Sequence, residues 1–154
     1  MGKHKVIIDT NLWISLLIGK RLSELRSLCN SDIVDVYFCD ELIEEFIRIA
    51  SQGKIKKYAT DERTIQTLEL MRTSCILSFI ETKTVSSGLR DVNDLYLLAL
   101  AETVQANYIL TGDKDLLSLK FHHQTKIITY KEFEAIIEES MKSDSQATNP
   151  DIIS

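Results

Sequence analysis

No apolar run in this chain approaches the ~20 residues needed to cross a bilayer. The start, Met1-Gly2-Lys3-His4-Lys5, is basic, but Val6-Ile7-Ile8 breaks off at Asp9, too soon for a signal-peptide core. Gly2 does not make a myristoylation signal, because Val6 stands where that signal needs Ser or Thr. These absences predict a soluble, cytoplasmic protein with no membrane partner. Cysteine is scarce too. Cys29, Cys39 and Cys75 are odd in number, lack C-x-x-C spacing and sit among apolar neighbours, so they read as buried, reduced thiols. His122 and His123 are adjacent with no cysteine pair near them, and no zinc site is expected there. Positive charge is also in deficit. A net charge of −5 excludes a protein that grips nucleic acid through bulk electrostatics alone. Two bound Mg²⁺ ions would reduce that to about −1 and invert the local field, so acidity is compatible with phosphodiester chemistry without pointing to it.

What the chain does contain suits one globular domain: 154 residues, 44% of them hydrophobic. Lys5 to Ile8, Val34 to Cys39, Ile76 to Ile80, Tyr108 to Leu110 and Lys126 to Thr129 read as strands. Between them lie helical stretches: Leu12 to Leu17, Leu22 to Leu28, one capped by Asp40, and one opened by Thr60-Asp61. The Asp40 helix carries Leu42, Ile43, Phe46, Ile47 and Ala50 at the spacing of one buried face. The Thr60 helix should turn Ile65, Leu68 and Met71 inward. Val85 to Gly88 reads as a loop, and Asp91 to Gln105 is the clearest helix. Lys114 to Leu119 and Lys131 to Met141 follow. From Lys142 the sequence is polar, holds the single proline (Pro150), and is expected to form a disordered tail. Alternating strands and helices predict an open parallel sheet covered on both faces, with ligands beyond the carboxyl ends of its strands.

Several acids stand at such ends. Asp9 terminates the first strand, Asp113 follows the fourth through Thr111-Gly112, and Asp94 lies in the first turn of the long helix. Glu44 and Glu45 lie in the helix after the second strand. Converged carboxylates repel one another and are tolerable only with cations between them, and an all-oxygen donor set suits Mg²⁺ or Mn²⁺. Each acid has a plainer role open to it. Asp9-Thr10-Asn11 suits an ordinary turn, Asp94 suits the N3 partner of a cap at Asp91, and Asp113 suits the cap of the helix at Lys114. Asp94 heads a stripe with Leu97, Leu98 and Ala101, an unusual place for an acid. Glu44 and Glu45 flank their helix's apolar stripe on opposite sides, and Ile49 extends that stripe toward Glu45.

With these residues laid out, the chain resembles PIN-domain proteins, most closely the subgroup described as toxin components of toxin–antitoxin pairs. The matching segments are Val-Ile-Ile-Asp-Thr-Asn at 6–11, Glu-Leu-Ile-Glu-Glu-Phe at 41–46, Arg-Asp-Val-Asn-Asp-Leu-Tyr-Leu-Leu-Ala-Leu-Ala at 90–101, Tyr-Ile-Leu-Thr-Gly-Asp-Lys-Asp-Leu-Leu at 108–117, and Ile-Ile-Thr-Tyr-Lys-Glu-Phe at 127–133. The resemblance implies a three-layer α/β/α sandwich around a central, mostly parallel sheet, with a PIN-like nuclease domain over 1–141 and the tail at 142–154. It implies a Mg²⁺- or Mn²⁺-dependent endoribonuclease that cuts single-stranded RNA by two-metal hydrolysis, leaving 5′-phosphate and 3′-hydroxyl ends. Asp9, Glu45, Asp94 and Asp113 would be the catalytic metal ligands, with Asn11 and Thr111 supporting them. Arg90 and Lys114 would be the phosphate contacts. An antitoxin protein and a second copy of the chain are the implied partners. Two features depart from the pattern: Asp40 replaces the usual Ser or Thr before the second helix, and Val92 replaces a common proline after Asp91.

Two other functions compete with this one. In the first, the acids are vestigial and the PIN-like surface binds a partner protein. In the second, the domain is a phosphoryl-transfer module of receiver or haloacid-dehalogenase type. The dehalogenase motif needs a second Asp where Asn11 stands, and receivers need a pair of acids after the first strand, which this chain lacks.

Overall fold

The computed structural model describes residues 3–80 and 92–153, with side chains in the second stretch described from 94 to 142. The first strand, β1 (His4–Ile8), is the sheet's centre. Val6, Ile7 and Ile8 are completely buried, because both faces of a central parallel strand are covered and alternation is lost. Two helices, α1 (Thr10–Ile18) and α2 (Leu22–Cys29), lead to β2 (Val34–Phe38), which pairs in parallel with β1. Then come α3 (Asp40–Ala50), a single turn α4 (Gly53–Lys56), α5 (Asp61–Ser74) and the edge strand β3 (Ile76–Leu77). On the other side of β1 the chain continues as α6 (Val92–Val104), β4 (Tyr108–Leu110), α7 (Lys114–Leu119), β5 (Phe121–His122), β6 (Thr125–Ile128) and α8 (Tyr130–Ile153).

The strand order is β3-β2-β1-β4-β6-β5, parallel except for the antiparallel β5 edge. Helices α1, α2, α3 and α5 pack on one another, while α6 packs against β1 and β4. Right-handed crossovers put the first group on one face and α6 on the other, giving the α/β/α sandwich. The order reverses between β1 and β4, so the carboxyl ends of these two strands flank the crevice where open α/β sheets bind ligands.

Several local expectations change. Asp40 is the first helical residue of α3 and Cys39 holds the cap position without a side-chain bond, so Asp40 acts through its charge on the helix's amino end. Thr60 does cap α5, accepting from the Arg63 amide. That helix turns Thr67, Leu70 and Met71 inward, leaving Ile65 62% exposed. The β5 strand and the α4 turn are elements the sequence pattern does not announce. The last helix runs through Ile153, past Met141, where the sequence reading stops it. Its added stretch, residues 142–153, holds only Lys142, Gln146 and Ala147 as good helix formers beside Ser, Asp, Thr, Asn and Pro150, so helix propensity does not account for the extension. Among the described residues, no helix is long and apolar enough to cross a membrane. All three cysteines are free: Cys29 and Cys39 are buried, and Cys75 sits 3.6 Å from Cys29, sulfur to sulfur.

Candidate active site

Asp9 leaves β1 with its amide bonded to the Leu110 carbonyl, so the two central strands are tied together where they end. Its side chain is only 4% exposed. Thr111, also buried, donates its hydroxyl to Asp9 Oδ2 at 2.8 Å and accepts the Asp113 amide at 3.0 Å. One threonine therefore fixes the first aspartate and positions the second. Asp113 Oδ1 in turn accepts the amides of Asp115 (2.7 Å) and Leu116 (3.3 Å), which makes it the cap of α7 as expected. Both capping bonds fall on the same carboxylate oxygen.

Glu45 comes from α3 on the opposite side of the crevice. Its side chain is 12% exposed, whereas Glu44 points to solvent. The Tyr96 hydroxyl donates to Glu45 Oε2 at 2.5 Å, and Thr10 Oγ1 lies 2.8 Å from that hydroxyl and 3.4 Å from the same carboxylate oxygen. Helices α1, α3 and α6 thus meet at one carboxylate. Burial and the bond to Glu45 both hold the Tyr96 hydroxyl firmly protonated, so it acts as a donor.

The electrostatics connect these groups. Burial pushes the Asp9 carboxyl up from 3.8 to about 6, although the Thr111 hydroxyl and the Asn11 backbone amide pull it down. The nearby charges of Glu45 and Asp113 push it further up. Hence three of the four sequence-nominated acids share one electrostatic environment. Asp94 is half-buried in the first turn of α6, the turn before Leu97 and Leu98, and two residues from the Tyr96 that reaches Glu45. Asn11 contributes its backbone to Asp9 while its side chain is exposed. Lys114 is exposed beside Asp113. Arg90 and the cap position Asp91 lie outside the described residues, as does the Val85 to Gly88 loop.

Sequence reasoning missed three participants. Thr10 reads as a turn residue, Tyr96 as one aromatic in a Leu/Ala helix, and Arg48 as surface. Yet Arg48 Nη2 stands 3.9 Å from Glu45 Oε1, on the i+3 spacing that brings helix side chains together. That spacing was the one available signal.

A carboxylate this buried, among like charges, is a poor anion by itself and a good ligand for a hard cation. The donors are oxygens throughout, which fits Mg²⁺ or Mn²⁺. Against known proteins, a family model described as PIN domain matches residues 5–115, which takes in β1 through the start of α7. The chain is also similar to an uncharacterized protein, MJ1680, of Methanocaldococcus jannaschii: 31% identical over 141 residues, covering 85% of this chain and 90% of the relative.

Proposed function

This chain belongs to the PIN domain family, whose members are in general nucleases that use divalent metals, and we propose that it is an endoribonuclease acting on single-stranded RNA. The observation that carries the reading is the buried Asp9, held at the sheet's crossover point with Glu45 and Asp113 close enough to disfavour its charge. Asp9, Glu45, Asp94 and Asp113 would hold Mg²⁺ or Mn²⁺. Bound there, such ions supply Lewis acidity toward water and toward the departing oxygen of a phosphodiester. The protein's own contribution is placement. Thr111 orients Asp9 and Asp113 together, Tyr96 and Thr10 orient Glu45, and Lys114 and Arg90 would meet phosphate at the rim. Arg48, beside Glu45, is a further cation for that task.

The experiment is cleavage of unstructured RNA, with DNA alongside, in Mg²⁺ or Mn²⁺, followed by chelation. Asp9→Asn and Asp94→Asn should each lower the rate at least about tenfold, as loss of a charged ligand to a catalytic ion does. Full activity in both variants would remove the assignment, and preference for DNA would redirect the substrate. The segments shared with toxin-type PIN proteins also support a role as the toxin of a toxin–antitoxin pair. An adjacent reading frame encoding a small protein that binds this chain and blocks cleavage would support that role. Its absence would leave a free-standing nuclease.

A further inference from the structure

A second cluster of metal-binding side chains sits away from the acidic crevice. Glu102 lies in the last turn of α6, and His122 and His123 lie at the β5–β6 hairpin. Nε2 of His122 is 2.8 Å from Glu102 Oε1, and Nε2 of His123 is 2.9 Å from the same oxygen. Adjacent strand residues normally face opposite ways, so a His-His pair rarely converges. Here it does because His123 leaves the strand with φ of 55°, in the left-handed region that histidine enters more readily than most residues. The rings meet edge to face with centroids 4.6 Å apart, leaving both ε nitrogens aimed at Glu102.

The surroundings suit an ion. A cavity of about 220 Å³ opens beside the three ligands, bounded also by Gln105, Gln124 and Thr125. The hairpin is anchored, since Thr125 donates to the Ala106 carbonyl at 2.7 Å. Two imidazoles and one carboxylate favour borderline ions such as Zn²⁺ over Mg²⁺. In a tetrahedral zinc site the ligand atoms stand roughly 3.3 Å apart, so the present 2.8 and 2.9 Å contacts need open by only about half an ångström. The fourth position would face the cavity, and both rings would carry their proton on Nδ1.

We propose that Glu102, His122 and His123 form a Zn²⁺-class metal site that fastens the carboxyl end of α6 to the β5–β6 hairpin. It is separate from the nuclease reading and does not rest on it. Asp94, in the first turn of α6, and Glu102, in the last, are about 12 Å apart along the helix axis. Moreover, β6 runs parallel to β4, so the hairpin turn lies at the strands' amino ends, opposite Asp9 and Asp113.

The test is calorimetric titration of the chelator-stripped full chain with ZnCl₂, in excess Mg²⁺ so that the oxygen site is occupied. One Zn²⁺ per chain should bind with micromolar or tighter affinity. Glu102→Gln and His123→Asn should each weaken that binding about tenfold or more. His123 is 70% exposed and Asn also tolerates its backbone angle, so that variant keeps the fold, which circular dichroism would check. Asp9→Asn should bind Zn²⁺ as the parent does, with the His122 and His123 ring resonances shifting on binding in both. No zinc binding by the parent, unchanged affinity in both hairpin-site variants, or loss of binding confined to Asp9→Asn would each overturn the proposal.

Discussion

Asp9 illustrates how a single carboxyl can be costly to the fold and useful to the site. It is the reverse of the usual salt-bridged acid: its carboxyl is raised from 3.8 to about 6, so the folded state holds the proton more tightly than the unfolded chain. Stability contributed by protonated Asp9 is therefore lost as pH rises from near 4 through about 6, amounting to about 1–3 kcal/mol in metal-free protein. Asp9→Asn keeps the shape and removes the charge. In chelator at pH 7.5 it should melt a few degrees higher than the parent, and the gap should close as the pH is brought down to 4 and below. A variant no more stable than the parent at pH 7.5, or equally shifted at pH 7.5 and at pH 4, would contradict this account. Tyr96 offers the complementary case. Tyr96→Phe removes the donor that holds Glu45, so nuclease activity should drop about tenfold while stability falls by about 1 kcal/mol. Unchanged turnover would mean that Glu45 needs no orienting. The cysteines have no such role: burial pushes the Cys39 thiol up to about 12, and the contact with Cys29, with burial, raises that of Cys75, so native protein should react with thiol reagents far more slowly than unfolded protein.

At the scale of elements, the helices show where pattern reading succeeds and where it fails. In α3 the buried residues are Leu42, Phe46 and Ala50, with Ile43 and Ile49 half-buried, so the 3.6-residue period located the face, although Ile47, read as part of it, is 43% exposed; Glu45 is half-buried and Glu44 exposed. In α5 the apolar residues are too sparse to define one stripe, and the helix turned by packing Thr67 inward instead of Ile65. The contrast is measurable. Phe46→Ala should destabilise by about 3–5 kcal/mol, whereas Ile65→Ala should change stability by less than about 0.5 kcal/mol. Comparable losses from both would mean that α5 is rotated from its described position. The strand–helix alternation, the three-layer arrangement and the strand-end positions of Asp9 and Asp113 were all legible in sequence. Short elements were not. Two-residue β5 and one-turn α4 carry too few residues for any period, and their existence depends on partners such as β6. The hydrogen bonds around Glu45 were equally hidden, because Thr10 and Tyr96 reach it from different helices. So was the Glu102 cluster, since a backbone angle, not a spacing, brings its histidines together.

For the whole molecule, the sheet order separates a stable centre from two weak margins. Strands β1 and β4 are enclosed on both sides, while β3 and β5 are two-residue edges. Amides of β1 and β4 should exchange with solvent only through global unfolding, and those of β3 and β5 through local opening. Native-state hydrogen exchange would reveal this, and equal protection across all six strands would refute it. The centre of the sheet is also its oldest part during synthesis. Strand β1 leaves the ribosome first, yet one neighbour, β4, is met through contacts such as Lys5 to Asn107, which lie 102 positions apart. At roughly 5–20 residues per second, translation leaves Val6-Ile7-Ile8 without that neighbour for several seconds or longer. During that interval one edge of the strand stays open even after β2 has covered the other, so the half-made sheet waits on its late-arriving neighbour.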